Sequence, residues 1–370
     1  MRLLLLPVLF AVAAALGCPG GATSPPSEPA RTDALRSAEA PPAPSGDCRV
    51  ELWTGDSWQD RGPTTCGSEG RIGVLVAGDV GWAGDVLDAT VAAMEARCAT
   101  GPCDLGVLAG DLLYGDGLEA DARWRAVWDG GFATLNRPFA AVLGNHEWRH
   151  EPNSKLKRKA VFGADKRLGL LAPGPSYTAR IRDAGGQTLL AIAGLDTDSI
   201  SNPGRHMPGL GAQSLATACA LGAPVLWLGH HPPSSEGLHH EHEAHVEAEL
   251  RKKLVRAVAG GCRIAAAVAG HDHDLQAWGP GCEEAGMPGV VVSGVAARGF
   301  RPPGPKHLRP CPADASAAAA YHAGPKATGG YAHLAIDTTS GHTGVELIEA
   351  TGGGASTVLS SHAWDLPSAP

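Results

Sequence analysis

Five short apolar runs, each closed by glycine and then a polar residue, constrain the fold of this chain more than any other feature. RIGVLVAGD ends at Asp79, LGVLAGD at Asp111, FAAVLGNH at Asn145 and His146, PVLWLGHH at His230 and His231, and RIAAAVAGH at His271. Unalternating runs of this length read as strands buried on both faces. The intervening stretches predict helices over about 83–98, 117–128, 211–221 and 243–259. Strands alternating with helices predict crossover connections and a largely parallel sheet. Sites in such sheets form beyond the carboxyl ends of the strands. The five runs should therefore carry Asp79, Asp111, Asn145, His230 and His271 to one edge.

A single Gly-Asp after a strand is only a turn, but five in register with compatible chemistry predict a shared metal site. His273 belongs with them, because side chains two apart in an extended segment point to one face. Aspartates are hard oxygen donors, and imidazole suits Zn, Fe, Mn and Ni. Three histidines, two aspartates and an asparagine are too many for one tetrahedral ion and right for two ions sharing a carboxylate. Two ions about 3.5–4 Å apart clamp the attacking and leaving oxygens of an in-line displacement at phosphorus. His271 and His273 would then serve one ion each. Tyr114 lies three residues after Asp111, on the same face if a helix begins there. It reads either as a core tyrosine or as a hard phenolate donor, which favours Fe(III).

The flanks set the context. MRLLLLPVLFAVAAALGC reads as a signal peptide over residues 1–18, too short for a membrane span. Its Ala15-Leu16-Gly17-Cys18 ending resembles a bacterial lipobox, so Cys18 is expected to carry lipid; ordinary cleavage nearby is the alternative. Residues 19–47, rich in Pro, Ser, Ala and Glu, cannot bury a core and predict a flexible tether. The expected location is a periplasmic or surface lipoprotein, otherwise a secreted protein. Nine cysteines leave eight, an even number, if Cys18 is lipidated, which predicts disulfides. Short-range pairs are expected: Cys98–Cys103, Cys282–Cys311 and Cys48–Cys66. A net charge of -8 argues against a nucleic-acid-binding face.

GDVG (78–81), GDLLY (110–114), GNHE (144–147), GHHP (229–232) and GHDH (270–273) together resemble the purple acid phosphatases of the metallophosphoesterase superfamily, and more closely their short, tartrate-resistant type. PSYTARI (175–181), LLAIAGLDT (189–197) and GGYAHLAID (329–337) are also similar to that type. The resemblance implies a calcineurin-like domain over 71–365, with residues 48–70 an extension of unassigned role. It implies an α/β fold, an αββα sandwich of two packed mixed sheets. It also implies Fe(III) held by Asp79, Tyr114 and His273, a divalent Zn, Mn or Fe held by Asn145, His230 and His271, and Asp111 bridging both. Gly81 stands where most other metallophosphoesterases carry a histidine, and Tyr114 supplies the missing donor. His231 stands where the short type carries tyrosine. In residues 296–328, Arg298, Arg301 or Lys306 could reach the substrate, or the segment is a solvated loop.

The expected reaction is hydrolysis of small phosphomonoesters at acidic pH by hydroxide formed on the ferric ion. His146 would protonate the leaving alkoxide. His239, nine residues after His230, has a spacing similar to that of a second outer histidine in the short type, and the resemblance implies that role unless GLHHEHEAHVE is a solvated helix start or a metal store. A monomer touching membrane only through its lipid is expected. The alternatives are a phosphodiesterase or nucleotidase on the same centre, and a surface lipoprotein that only binds metal or phosphate. A serine hydrolase lacks its G-x-S-x-G.

Overall fold

A computed structural model describes residues 47–67, 70–149, 153–164, 169–201, 210–301, 319–322 and 328–367. The expected leader, nearly all of the tether, Lys306 and Cys311 lie outside the described residues. The five runs are strands: β3 (Arg71–Ala77), β4 (Leu105–Ala109), β5 (Phe139–Val142), β9 (Val225–Leu228) and β10 (Ile264–Ala269). Apart from Arg71, every residue in them is buried, as unalternating runs require.

The remaining strands are β1 (Cys48–Trp53), β2 (Trp58–Thr64), β6 (Leu170–Leu171), β7 (Tyr177–Arg182), β8 (Thr188–Gly194), β11 (Leu275–Trp278), β12 (Val290–Ser293), β13 (Ala319–His322), β14 (Gly329–Asp337), β15 (Thr343–Gly352) and β16 (Ala355–Trp364). They form two mixed sheets. One has the order β13-β11-β12-β10-β9-β8-β7-β1-β2, the other β16-β15-β14-β3-β4-β5-β6. Strands β3 to β6 run parallel, as do β8, β9, β10 and β12, with antiparallel strands on their flanks.

One apolar core lies between the sheets, with Val74, Val107, Leu226 and Val268 among its members. A second joins the smaller sheet to α1 (Asp85–Cys98), α2 (Ala120–Trp128) and α4 (Ser154–Ala164). A third joins the larger sheet to α6 (Leu210–Ala220) and α7 (His240–Ala259). The architecture is therefore a four-layer αββα sandwich. The short helices α3 (Asn145–Trp148) and α5 (Asp198–Ser201) lie in connections. No helix among the described residues is long and apolar enough to cross a membrane.

Helix α1 shows how local sequence supports the layering. Asp85 and Asp88 in its first turn and Arg97 in its last oppose the helix dipole correctly. Leu87, Val91 and Met94 face the sheet. The Cys98–Cys103 disulfide ties its end to the entry of β4.

Of the 48–70 extension, residues 48–64 are built into the larger sheet. β1 and β2 pair as a hairpin closed by the Cys48–Cys66 disulfide, and β1 pairs with β7. Arg180 and Arg182 of β7 both reach Glu51 across that pairing, at 2.8 and 2.9 Å. A third disulfide, Cys219–Cys262, joins the end of α6 to the loop before β10.

Candidate metal centre

The loops after β3, β4, β5, β9 and β10 converge where the two sheets approach each other. Asp79, Asp111 and His271 each have positive φ, at 58°, 50° and 72°. Non-glycine residues rarely occupy that region, and strain of this kind collects at functional sites. Here it turns each side chain off its strand axis, with its backbone still tied to the neighbouring strand end. Asp79 N donates to Gly110 O at 3.0 Å and His271 N to Asp79 Oδ2 at 2.7 Å. The preceding glycines permit the approach. A Cβ on Gly110 would lie 2.6 Å from Cγ of His230, and one on Gly78 would lie 2.8 Å from Cα of Gly270.

The donor atoms form two adjoining groups. On one side the Tyr114 hydroxyl lies 2.9 Å from Asp79 Oδ1, and His273 Nε2 lies 3.2 Å from the same oxygen. On the other, His230 Nε2 lies 3.3 Å from Asp111 Oδ1 and 3.2 Å from His271 Nδ1. Donors about 2.0–2.2 Å from one ion sit roughly 3 Å apart along an octahedral edge, so this spacing fits ions in both groups. His230 Nδ1 lies 2.8 Å from the Ala109 carbonyl, which can only accept. The proton is therefore on Nδ1, and the Nε2 lone pair faces the site. Asn145, first residue of α3, has an Oδ1 that is buried without a hydrogen-bond partner, as a ligand oxygen awaiting a cation would be.

The electrostatics agree with that fit. Burial opposes charge on Asp111, yet His230 and then His146 outweigh it and hold the carboxyl well below the usual range. Burial, then the His230 charge, pushes His271 well below an ordinary imidazole and keeps it neutral, the form that binds metal. Burial, with Asp79 and Asp111 adding to it, raises the Tyr114 phenol well above its ordinary value. Without a cation, Tyr114 is therefore a neutral donor to Asp79.

The His146 and Tyr114 rings meet in a T-shaped contact, with centroids 4.6 Å apart. Its Nε2 lies 3.8 Å from Asp111 Oδ2, and its Nδ1 has no hydrogen-bond partner. The His239 ring lies 4.4 Å from that of His271, so both expected outer histidines are at the centre. Arg298 lies over the Tyr114 ring at 4.5 Å, and Arg301 N donates to His273 O at 2.8 Å. The described beginning of segment 296–328 thus covers the tyrosine side.

Three supporting residues escaped the sequence reading. Glu147 is fully buried and accepts from Leu113 N at 2.9 Å and Gly144 N at 2.8 Å, fastening the Asp111 loop to the Asn145 loop. Burial, then Asp111, raises its pKa to about 8. Asp272 holds the 235–239 turn through Ser235 and through His239 N. Thr197 meets both residues of the His230-His231 pair. Glu147 and Asp272 were visible inside the motifs GNHE and GHDH, but spacing alone cannot separate a strut from a ligand.

Residues 72–275 match the family described as calcineurin-like phosphoesterase. Two solved structures share the fold. One, described as "GAP50 the anchor in the inner membrane complex of Plasmodium", aligns with TM-score 0.56 at 12% identity, covering 80% of this chain and 90% of that one. The other, described as "Structure of PhoD", aligns with TM-score 0.56 at 12% identity, covering 84% of this chain and 73% of that one. No curated protein matches the sequence.

Proposed function

The chain belongs to the calcineurin-like phosphoesterase family, the mark of a metal-dependent phosphoester hydrolase, and on that premise we propose that it is an exported purple-type acid phosphatase acting on small phosphomonoesters. Asp79, Tyr114 and His273 would hold Fe(III). Asn145, His230 and His271 would hold a divalent Zn, Mn or Fe, and Asp111 would be shared. The observation that carries this finer reading is the buried Tyr114 hydroxyl, 2.9 Å from Asp79 Oδ1, with Gly81 offering no side-chain donor of its own. A phenolate is a hard anionic donor that suits a ferric ion.

Bound together, such a pair supplies Lewis-acid activation of water and a clamp on the phosphate oxygens. Every other role falls to the protein. Asp111 holds the two donor groups in one frame. His146, with its side chain 22% exposed, stands at the rim and gives a proton to the departing alkoxide. Arg298, fixed over Tyr114, offers positive charge to the phosphate oxygens as charge develops in the transition state. His239 gives the same rim a second imidazole. The leader at residues 1–18 and the three disulfides among the described residues support export, with Cys18 as the lipidated anchor.

The test is metal analysis and a visible spectrum on purified protein, with Tyr114→Phe alongside. One iron plus one Zn, Mn or Fe, with a visible band that disappears in Tyr114→Phe while iron remains, is the expected result. An unchanged band in the variant, or a colourless protein holding two Mn or two Zn, sinks the ferric assignment. Rates on p-nitrophenyl phosphate and bis(p-nitrophenyl) phosphate separate the monoesterase from the diesterase; preference for the diester would overturn the substrate class.

A further inference from the structure

His271 offers its Nδ1 to the centre, and its other nitrogen points away into a second cluster of side chains. Its Nε2 lies 2.8 Å from Glu243 Oε2, and His231 Nε2 lies 3.6 Å from the same oxygen. None of the three atoms has an aligned hydrogen bond, although all three are buried. Glu243 also breaks the backbone of its helix. Its φ of -121° and ψ of 16° interrupt α7 near the start, where the side chain turns toward the two histidines. Such a break has a cause when a side chain is committed elsewhere.

The protons can be placed. Thr197 Oγ1 accepts from His230 N at 3.3 Å and from His231 N at 3.0 Å, which occupies both of its lone pairs. Its own hydrogen must then go to His231 Nδ1, 2.8 Å away. Neutral His231 therefore carries its proton on Nε2, 3.6 Å from Glu243 Oε2. With the proton there, His231 Nε2 has no lone pair for a metal. Glu243 Oε2, 2.8 Å from His271 Nε2, is the acceptor within reach of that second imidazole.

We infer that Glu243 is a positioning residue for the second ion. It takes the Nε2 proton of His271 and locks that ring in the tautomer whose Nδ1 lone pair faces His230 and Asp111. The inference rests on the two-ion reading of the centre. Partners of this kind fix the orientation and basicity of a ligating imidazole, and losing one weakens metal binding by about 10–100-fold.

The test compares wild type, Glu243→Ala, Glu243→Gln and His271→Ala as full chains, titrated with Zn2+ against a chromophoric chelator. Urea unfolding of the metal-free proteins runs in parallel. Glu243→Ala should bind one of its two ions about 10–100-fold more weakly, keep the other, and unfold in the absence of metal as wild type does. Glu243→Gln retains an acceptor oxygen and should recover most of the affinity; it also serves if the alanine variant does not fold. Wild-type affinity in Glu243→Ala with one ion lost in His271→Ala overturns the inference and leaves the centre standing. Two ions retained in His271→Ala overturns the two-ion centre itself. Three ions in wild type and two in Glu243→Ala would make the cluster a metal site, which also overturns the positioning role.

Discussion

Replacing Gly270 with alanine removes no donor from the centre, yet it should disable both halves of it. A Cβ at this position would lie 2.6 Å from the Ala109 carbonyl oxygen and 2.7 Å from Asp79 Oδ2, with Gly78 Cα 3.3 Å away. The carbonyl is the one that fixes the His230 tautomer, and the carboxylate oxygen is the one that accepts His271 N. Carbon and oxygen approach no closer than about 3.3 Å even in favourable contacts, so one strand end must move by roughly 0.6–0.7 Å. Gly270 does not have positive φ, so the effect is steric. Overpacking of this kind costs about 1–3 kcal/mol. Ligands must be held to within about 0.5 Å for function, and an ångström of misplacement can cost about 10²-fold in rate. The expected result for Gly270→Ala is a lower urea midpoint, reduced content of both ions, and a rate on p-nitrophenyl phosphate down by about 10²-fold. Gly163→Ala is the control: it lies in α4 with no atom near its would-be Cβ and should be neutral or slightly stabilising. A Gly270→Ala protein with wild-type ions and rate would refute the idea that close sheet contact sets the donor geometry.

Three further outcomes follow from the same frame. Asp111→Ala should retain little of either ion by elemental analysis, and full occupancy of both would show that the carboxylate is not shared. His146→Ala should keep its metals and lose about 10²–10⁴ in rate, with a smaller loss on aryl than on alkyl phosphates; equal losses would remove its role as acid. Away from the centre, His333 and Arg97 hold the Glu346 carboxyl down at about 2, against an ordinary 4.5. A depressed carboxyl contributes its stability above the unfolded value and loses it as the pH falls toward the folded one. With the Glu346 side chain one-third exposed, screening leaves about 1 kcal/mol of that contribution. Glu346→Gln should therefore be less stable than wild type at pH 7 in urea, with the gap narrowing from pH 5 to pH 3. A gap independent of pH would assign the loss to packing.

The parts legible in the sequence were those governed by one dominant force. β3, β4, β5, β9 and β10 are buried on both faces, so each reads as an unbroken apolar run, and glycine plus a donor marks where it leaves the sheet. The helices between them begin and end within a few residues of expectation. The β1–β2 hairpin was not legible because WQDRGPT is mostly half-buried and lacks an apolar period. Its place depends on pairing with β7, more than a hundred residues away. Cys219–Cys262 joins residues 43 apart, a pairing that only the docking of α6 on the larger sheet decides. Glu243 and Thr197 were hidden for a related reason. Each acts through a histidine contributed by another element, so neither the LLAIAGLDT run that ends at Thr197 nor the GLHHEHEAHVE stretch that contains Glu243 reveals the role.

The division of donors between the sheets bears on the order in which this molecule matures. In the proposed ligand set the smaller sheet contributes Asp79, Asp111, Tyr114 and Asn145, all oxygen donors, and the three histidines come from the larger one. Residues 71–149 alone could offer those hard oxygens, but none of the three imidazoles of the proposed ligand set. Tight capture of a transition ion must then wait until residue 273 has been made and the second sheet has docked. Binding free energy from such an ion would accrue to the docking step, not to either sheet alone. Chelation should correspondingly loosen the junction between the sheets before it disturbs the layers outside them.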